Sequence, residues 1–421
     1  MKIAVISDLH LGFRQYGSIE REEDFYNQLF MVRDKINEKG ADMVIIAGDL
    51  FDKPNPSPAA INAYREGIGN LNADIIIATQ GNHTMILRDN HYSIDEFFGE
   101  DEICGYYLLK DDTFTTDLFA LSESDSLFSK YKDSRIIVDG ITYRGNSKIE
   151  DFLEVQKELA EKHYKGVKTR ILVVHQSFKE YCGFTGEELS IKDLDLKPYD
   201  YVICGHIHSR CDDMIGDTCF IQPGSIERMN TTEALDEMEN GKGFYFIDTE
   251  TKDVSFCQVE CPRKFLLGEV DISSKKDLQN HLEEVESIVS KMDVAPIISY
   301  KYNNYAEKNV DIREDIGRVK QGVLINRSNI YDKDDEDISL EITDSEIPTV
   351  LEAINMAGEN YDLTKKQTKL ALDLHTVLQE DSESIKGLLD DFYENHFKKK
   401  EEKEVGIIDD DMIELFEYFE E

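Results

Sequence analysis

No apolar run in this 421-residue chain approaches the roughly 20 residues needed to cross a bilayer. Its first segment, MKIAVISDLH, holds only a short apolar run before charge returns, which fits neither a signal peptide nor a membrane anchor. A soluble, cytoplasmic chain with no membrane partner is expected. Cysteine is scarce as well: seven residues, at 104, 182, 204, 211, 219, 257 and 261, an odd number scattered through the chain. That pattern argues against a disulfide framework and predicts reduced thiols. Cys257-x-x-x-Cys261 lacks the second half of a zinc site, so these sulfurs read as packing residues. Basic residues are outnumbered, 47 Lys and Arg against 87 Asp and Glu, for a net charge of −40. Taken alone, that balance argues against nucleic acid, which is bound through lysine and arginine. It fits either a solvated surface suited to high internal salt or a partner that supplies the positive surface.

What the chain does contain is enough apolar sequence for more than one core, and its length predicts about two or three domains. Five short β-branched runs share one kind of ending. KIAVISDLH ends in Asp8 and His10, MVIIAGDLFD in Asp49 and Asp52, DIIIATQGNH in Asn82 and His83, RILVVHQ in His175, and YVICGHIH in His206 and His208. Such runs predict buried strands. Helical patterns between the first three, such as EEDFYNQLFMVRDKINEKG, predict an α/β fold with ligands at the carboxyl ends of strands. His206 and His208 lie two apart on an extended chain and so face one side. One such pair has many ordinary uses; a metal-type residue at the end of five strands predicts a clustered site. Carboxylate, carboxamide and imidazole donors favour Mn²⁺, Fe²⁺ or Zn²⁺ over Ca²⁺. Two such ions bridged by one aspartate suit phosphoester hydrolysis.

Asp8-x-His10, Gly48-Asp49, Gly81-Asn82-His83, His175 and Gly205-His206-x-His208 resemble the calcineurin-like metallophosphoesterase family. SDLHLGFRQY, GDLFD, VVHQ, CGHIHSR, QPGSIER and GKGFYFID narrow the resemblance to archaeal DNA double-strand-break repair nucleases of the Mre-eleven (SbcD-type) class. It is strong over about residues 1 to 260 and organisational beyond. The resemblance implies a β-sandwich flanked by helices, with a small α/β capping domain and a C-terminal helix-loop-helix. It implies one Mn²⁺ on Asp8, His10, Asp49 and His208 and a second on Asp49, Asn82, His175 and His206. His83 would meet the scissile phosphate, stabilising the transition state or protonating the leaving oxygen. The implied activity is 3′–5′ exonuclease and single-strand endonuclease action at DNA ends. The implied partners are a Rad-fifty (SbcC-type) coiled-coil ATPase and a second copy of the chain. Two positions depart from the family pattern: Thr84 follows Gly-Asn-His where an acid is usual, and Asp52 stands where many archaeal relatives carry a histidine. The first bears on metal affinity and the second on exonuclease strength.

The organisation expected is a nuclease domain over 1–263, a capping domain over 264–331, an acidic linker with a short helix over 332–359, a partner-binding helix pair over 360–398 and an acidic amphipathic tail over 399–421. Residues 264–331 also suit a plain accessory layer. Leu370, Leu374 and Leu378, then Ile385, Leu388, Leu389 and Phe392, form apolar stripes that either dock on the ATPase or fold back on the main core. The tail either folds on a partner or remains a solvating extension. Arg14, Arg88, Arg144, Arg210 and Arg228 near the strand ends are candidate DNA contacts as a set, each alone being an ordinary surface charge. Tyr16 and Tyr143 suit either base stacking or packing. Ile61, Tyr64, Phe97 and Phe98 are candidate dimer contacts. Two other functions fit the same residues: a phosphatase or phosphodiesterase for small substrates, and a weakly active scaffold that holds the ATPase.

Overall fold

The computed structural model describes residues 1–84, 105–116, 131, 134–145, 148–182, 189–304, 322–326 and 328–332. Arg88, Phe97, Phe98 and everything expected over 333–421, including the helix pair and the tail, lie outside the described residues. In chain order the elements are β1 (Lys2–Ile6), α1 (Ile19–Lys39), β2 (Met43–Ala47), α2 (Pro58–Gly67), β3 (Ile75–Thr79), β4 (Tyr106–Leu109), β5 (Asp112–Thr115), β6 (Ile136–Ile141), α3 (Ile149–Glu161), β7 (Thr169–His175), β8 (Tyr201–Gly205), β9 (Cys211–Ile215), β10 (Thr218–Gln222), α4 (Thr231–Asn240), β11 (Gly243–Asp248) and β12 (Asp253–Gln258). They are followed by β13 (Phe265–Ile272), α5 (Lys275–Val289), β14 (Ile297–Asn304), β15 (Ile325–Asn326) and β16 (Asn329–Asp332).

Two mixed sheets, in the orders β12-β11-β1-β2-β3-β4 and β5-β6-β7-β8-β10-β9, stack on each other and are flanked by helices. Successive side chains on a strand alternate sides, which explains why the runs are apolar throughout. Ile3, Val5, Ile45 and Ile77 meet Val138, Val173 and Ile203 between the sheets. Ala4, Ile6, Val44 and Ile46 face outward onto Leu29, Val32 and Ile36 of α1 and Tyr64 of α2. The second sheet turns Leu172, Val174 and Val202 outward onto Phe152 and Leu159 of α3. Burying each such aliphatic side chain stabilises the fold by roughly 1.5–3 kcal/mol. Helix α1 is bounded by Ser18, which accepts from the Arg21 N–H, and by Gly40 in a left-handed conformation at φ 67°. Tyr64 corrects an expectation: it is 0% exposed and packs against Phe51, so it serves this chain's own core rather than a dimer surface.

The strand ends converge because the loops after β1 and β2 zip together. His10 N–H donates to the Asp49 carbonyl at 3.0 Å, Leu11 N–H to Leu50 at 3.0 Å and Asp52 N–H back to Leu11 at 3.1 Å. Turning the chain so sharply puts Asp8, His10, Asp49 and His206 in left-handed backbone, at φ 52°, 44°, 47° and 86°. Gly48 is required here twice over, since its φ is 91° and a Cβ would overlap the His175 ring.

The parallel strands β13 to β16 form a third, smaller sheet with α5 packed on it through Leu278, Val285 and Val289. The guanidinium groups of Arg21 and Arg228 lie 5.5 and 4.8 Å from the ring of Phe265, the first residue of β13. Arg263 is paired with Asp24 of α1 at 2.5 Å. All described residues fall within one compact unit, Met1–Ser339.

Candidate metal centre

Each of the five strand ends delivers a side chain to one place. Three overlapping groups of donors could each hold a metal ion: Asp8, His10 and His208; His10, Asp49 and His83; and Asp49, His175 and His206. Within the first, His10 Nε2 and His208 Nε2 approach to 3.1 Å, and Asp8 Oδ1 lies 3.9 and 3.8 Å from them. In the third, His175 Nε2 is 3.1 Å from Asp49 Oδ2. Asn82 completes that side, its Oδ1 3.1 Å from His175 Nε2 and 2.9 Å from His206 Nδ1. Asp49 lies between the groups, with Oδ2 3.9 Å from His10 Nε2 and 4.0 Å from His83 Nε2.

Hydrogen bonds on the far sides aim these donors. His175 Nδ1–H donates to the Ala47 carbonyl at 2.8 Å, leaving the Nε2 lone pair for the centre. The His206 N–H donates to Asp8 at 3.1 Å, and the Ser7 hydroxyl also donates to that carboxylate. His83 is held by its N–H on Asp49 Oδ1 at 3.0 Å and by its Nδ1–H on the Asp52 carbonyl at 2.9 Å. Its side chain is 34% exposed while those of Asp8, His10, Asp49 and His175 are at most 2% exposed, so His83 forms the open lip of a buried cluster.

A calcineurin-like phosphoesterase family model matches residues 1–210, the stretch that contributes every one of these donors. The fold is that of a calcineurin-like metallophosphoesterase. Distant, consistent homology joins it to archaeal proteins. The DNA double-strand break repair protein Mre11 of Methanocaldococcus jannaschii is 28% identical over 408 residues, covering 94% of this chain and 100% of the relative. The protein of the same name from Methanococcus maripaludis is 29% identical over 78% of this chain and 88% of its own length.

The calcineurin-like centre suits divalent cations on its chemistry. Asp8 and Asp49 are buried carboxylates, and burying one in its ionised form is costly unless positive charge accompanies it. Burial disfavours an imidazolium at His175, yet Asp49 and Asp8 overcome this and raise its pKa to about 9. His208 also rises, burial being outweighed by Glu233 and Asp8. Burial and neighbouring imidazoles push His10 down, and burial and His175 push His206 down to about 3. When no cation is bound, the raised imidazoles of His175 and His208 offset the buried carboxylates, Asp8 itself being pushed up by burial, while the imidazoles of His10 and His206 are held down. A divalent ion would displace the His175 proton.

That exchange sets a pH dependence. A raised histidine pKa stabilises the metal-free fold fully below the unfolded value of 6.5, and the contribution is lost as pH climbs through about 9. Because an ion at His175 displaces its proton, Mn²⁺ affinity is expected to strengthen about tenfold per pH unit up to that point and then level off. Calorimetric titration across the window checks this, and a flat affinity would mean that no proton is displaced at His175.

The candidate DNA-contact arginines are placed differently from one another. Arg228 is a correction to the expected rim: it is 1% exposed and bound to Glu227, Glu237 and the Arg263 carbonyl, because its guanidinium fills a buried network behind the centre. Arg144 pairs with Asp111 and Asp151, and Arg210 donates to the Asn240 carbonyl over the face of Phe256. Arg14 is 50% exposed at its side chain and pairs with Glu22. Tyr143 places its ring 5.3 Å from that of His206, tilted by 41°, at the centre itself, whereas Tyr16 is exposed on a turn before α1. One residue absent from the sequence reading also touches the centre: Glu233 of α4 accepts from His208 Nδ1–H at 2.9 Å. Asn230-x-x-Glu233 is legible as a helix-capping pattern, but its reach to His208, 25 residues earlier, is not.

Proposed function

We propose that this chain is a Mn²⁺-dependent DNA nuclease that processes double-strand breaks together with a Rad-fifty (SbcC-type) ATPase. The observation carrying the reading is the open-lipped cluster of two carboxylates, five imidazoles and one carboxamide, in a chain homologous along nearly its whole length to a repair protein. In this reading Asp8, His10, Asp49 and His208 hold one ion and Asp49, Asn82, His175 and His206 the other, with Asp49 shared. When bound, the pair supplies positive charge to activate water and to neutralise the phosphoryl oxygens. His83, fixed through Nδ1 on the Asp52 carbonyl, presents Nε2 at the lip to stabilise or protonate the departing oxygen. Tyr143 beside His206 offers a face for an unpaired base.

The acidic total is reconciled with DNA by the ions and by the ATPase as sources of positive surface. The helix pair over 360–398 is the proposed ATPase-docking segment, and self-association into a homodimer is part of the same reading. The test incubates the full chain with Mn²⁺ or Mg²⁺ and end-labelled duplex, hairpin DNA or a small phosphodiester. Metal-dependent DNA cleavage is expected, with product lengths giving the polarity; turnover of the small ester with intact DNA would replace the nuclease with a small-substrate phosphoesterase. Deleting 360–398 is expected to abolish capture of the ATPase, and capture that persists would remove that segment as the dock.

A further inference from the structure

His208 is held at both ends by one buried pair of opposite charges. Its Nδ1–H donates to Glu233 Oε1 at 2.9 Å, while Lys242 Nζ donates to its carbonyl at 2.9 Å. Lys242 and Glu233 approach to 3.8 Å, and both reach Ser225, Lys242 at 2.8 Å and Glu233 at 3.4 Å. The Ser225 N–H returns to the His208 carbonyl at 3.1 Å. Glu233 is 7% exposed and Lys242 3%, so neither interaction is screened by bulk water. Both Glu233 oxygens are engaged: Oε1 also accepts from Asn230 Nδ2 at 2.8 Å and Oε2 from the Met229 N–H at 2.9 Å.

The other ligand-type imidazoles are treated differently. His175 turns its remote nitrogen to a backbone carbonyl. Among the described residues the remote Nδ1 of His10 has no hydrogen-bond partner, the nearest carboxylate oxygen of Asp52 being 3.8 Å away. His206 directs Nδ1 at Asn82. Of these four described residues, His208 alone has a carboxylate within hydrogen-bond distance behind it. A carboxylate there fixes the tautomer with Nε2 unprotonated, fixes the ring plane and makes Nε2 a stronger donor.

We propose that Glu233 is the positioning residue of His208, setting the strength of the ion site formed with Asp8 and His10. This rests on the two-metal reading above. A capping role alone would not require the contact to His208, because Asn230 already caps α4 through the Glu233 N–H at 2.9 Å.

The test uses the full chain, Mn²⁺ titration calorimetry, electron paramagnetic resonance and thermal unfolding of the metal-free protein. Glu233→Ala is expected to weaken one of two Mn²⁺ ions by about 100-fold and Glu233→Gln, which keeps the side-chain volume, by about 10-fold. The second ion should stay within about twofold, and the spin-coupled signal of an ion pair should give way to that of an isolated ion. Ala234→Gly is the control for α4: it weakens the helix without touching the Glu233 carboxylate, so it should lower the metal-free melting temperature and leave both affinities in place. Unchanged affinities in both Glu233 variants would overturn the proposal, as would equal weakening by Ala234→Gly. A wild-type chain that binds no Mn²⁺ would remove the two-metal reading and this proposal with it, whereas two bound ions without DNA cleavage would leave the proposal standing and remove only the nuclease.

Discussion

Asp49→Ala is expected to strip both ions from the chain and reduce turnover by on the order of 10⁴-fold or more. The carboxylate is the one anion placed between the outer groups, with Oδ2 3.1 Å from His175, 3.9 Å from His10 and 4.0 Å from His83. Its loss leaves Asp8 as the one carboxylate among the proposed ligands to attract two divalent cations among four imidazoles. Charge stabilisation by bound ions contributes several kcal/mol at a phosphoryl transition state, and each 1.4 kcal/mol is about a factor of ten in rate. Asp49→Asn separates charge from shape, because its amide oxygen keeps an acceptor for the His83 N–H while the anion is gone. Counting bound Mn²⁺ in both variants checks the account. A variant that retained two ions at wild-type affinity would show that Asp49 is not shared between them.

His83→Ala should have the opposite profile: turnover falling by about 10²–10⁴-fold with both ions retained, the range usual for a positioned acid or base. The side chain sits at the lip, 34% exposed, with Nδ1 occupied by the Asp52 carbonyl. In the proposed mechanism its Nε2 is the nitrogen that exchanges a proton with substrate. Small phosphodiesters with good leaving groups should be affected less than DNA, since they need less help in protonating the departing oxygen. Parallel measurement of kcat on both substrates and of Mn²⁺ stoichiometry decides the matter. Loss of metal in step with activity would make His83 a ligand rather than an acid.

What was legible in the sequence followed from local physics. The five runs that end in metal-type residues are strands in the structure, because continuous β-branched sequence suits a strand buried on both faces. Their stacking into two sheets with helices outside follows from alternate residues facing different layers. Long-range pairing was not legible. Arg228 looks like any exposed arginine in the string QPGSIER, and only folding brings Glu237 and the Arg263 carbonyl to it. Glu233 sits in an ordinary helix start, and its tie to His208 depends on where α4 docks. Tyr64 has the spacing of an amphipathic helix, but sequence alone does not say which side of α2 meets the core.

The left-handed backbone at Asp8, His10, Asp49 and His206 has an evolutionary consequence. A side chain beyond glycine in that region costs about 1–2 kcal/mol, although aspartate and histidine are among the types found there most often. Selection for the chemistry and selection for stability therefore pull in opposite directions at four residues of one cluster. In a lineage released from the need to hydrolyse its substrate, replacement by glycine would relax the backbone and discard a buried ionisable group at the same step. What opposes that drift within the fold itself is the pair of backbone hydrogen bonds that the Asp8 and Asp49 carboxylates accept from the His206 and His83 N–H groups, so the two aspartates are held by structure as well as by chemistry.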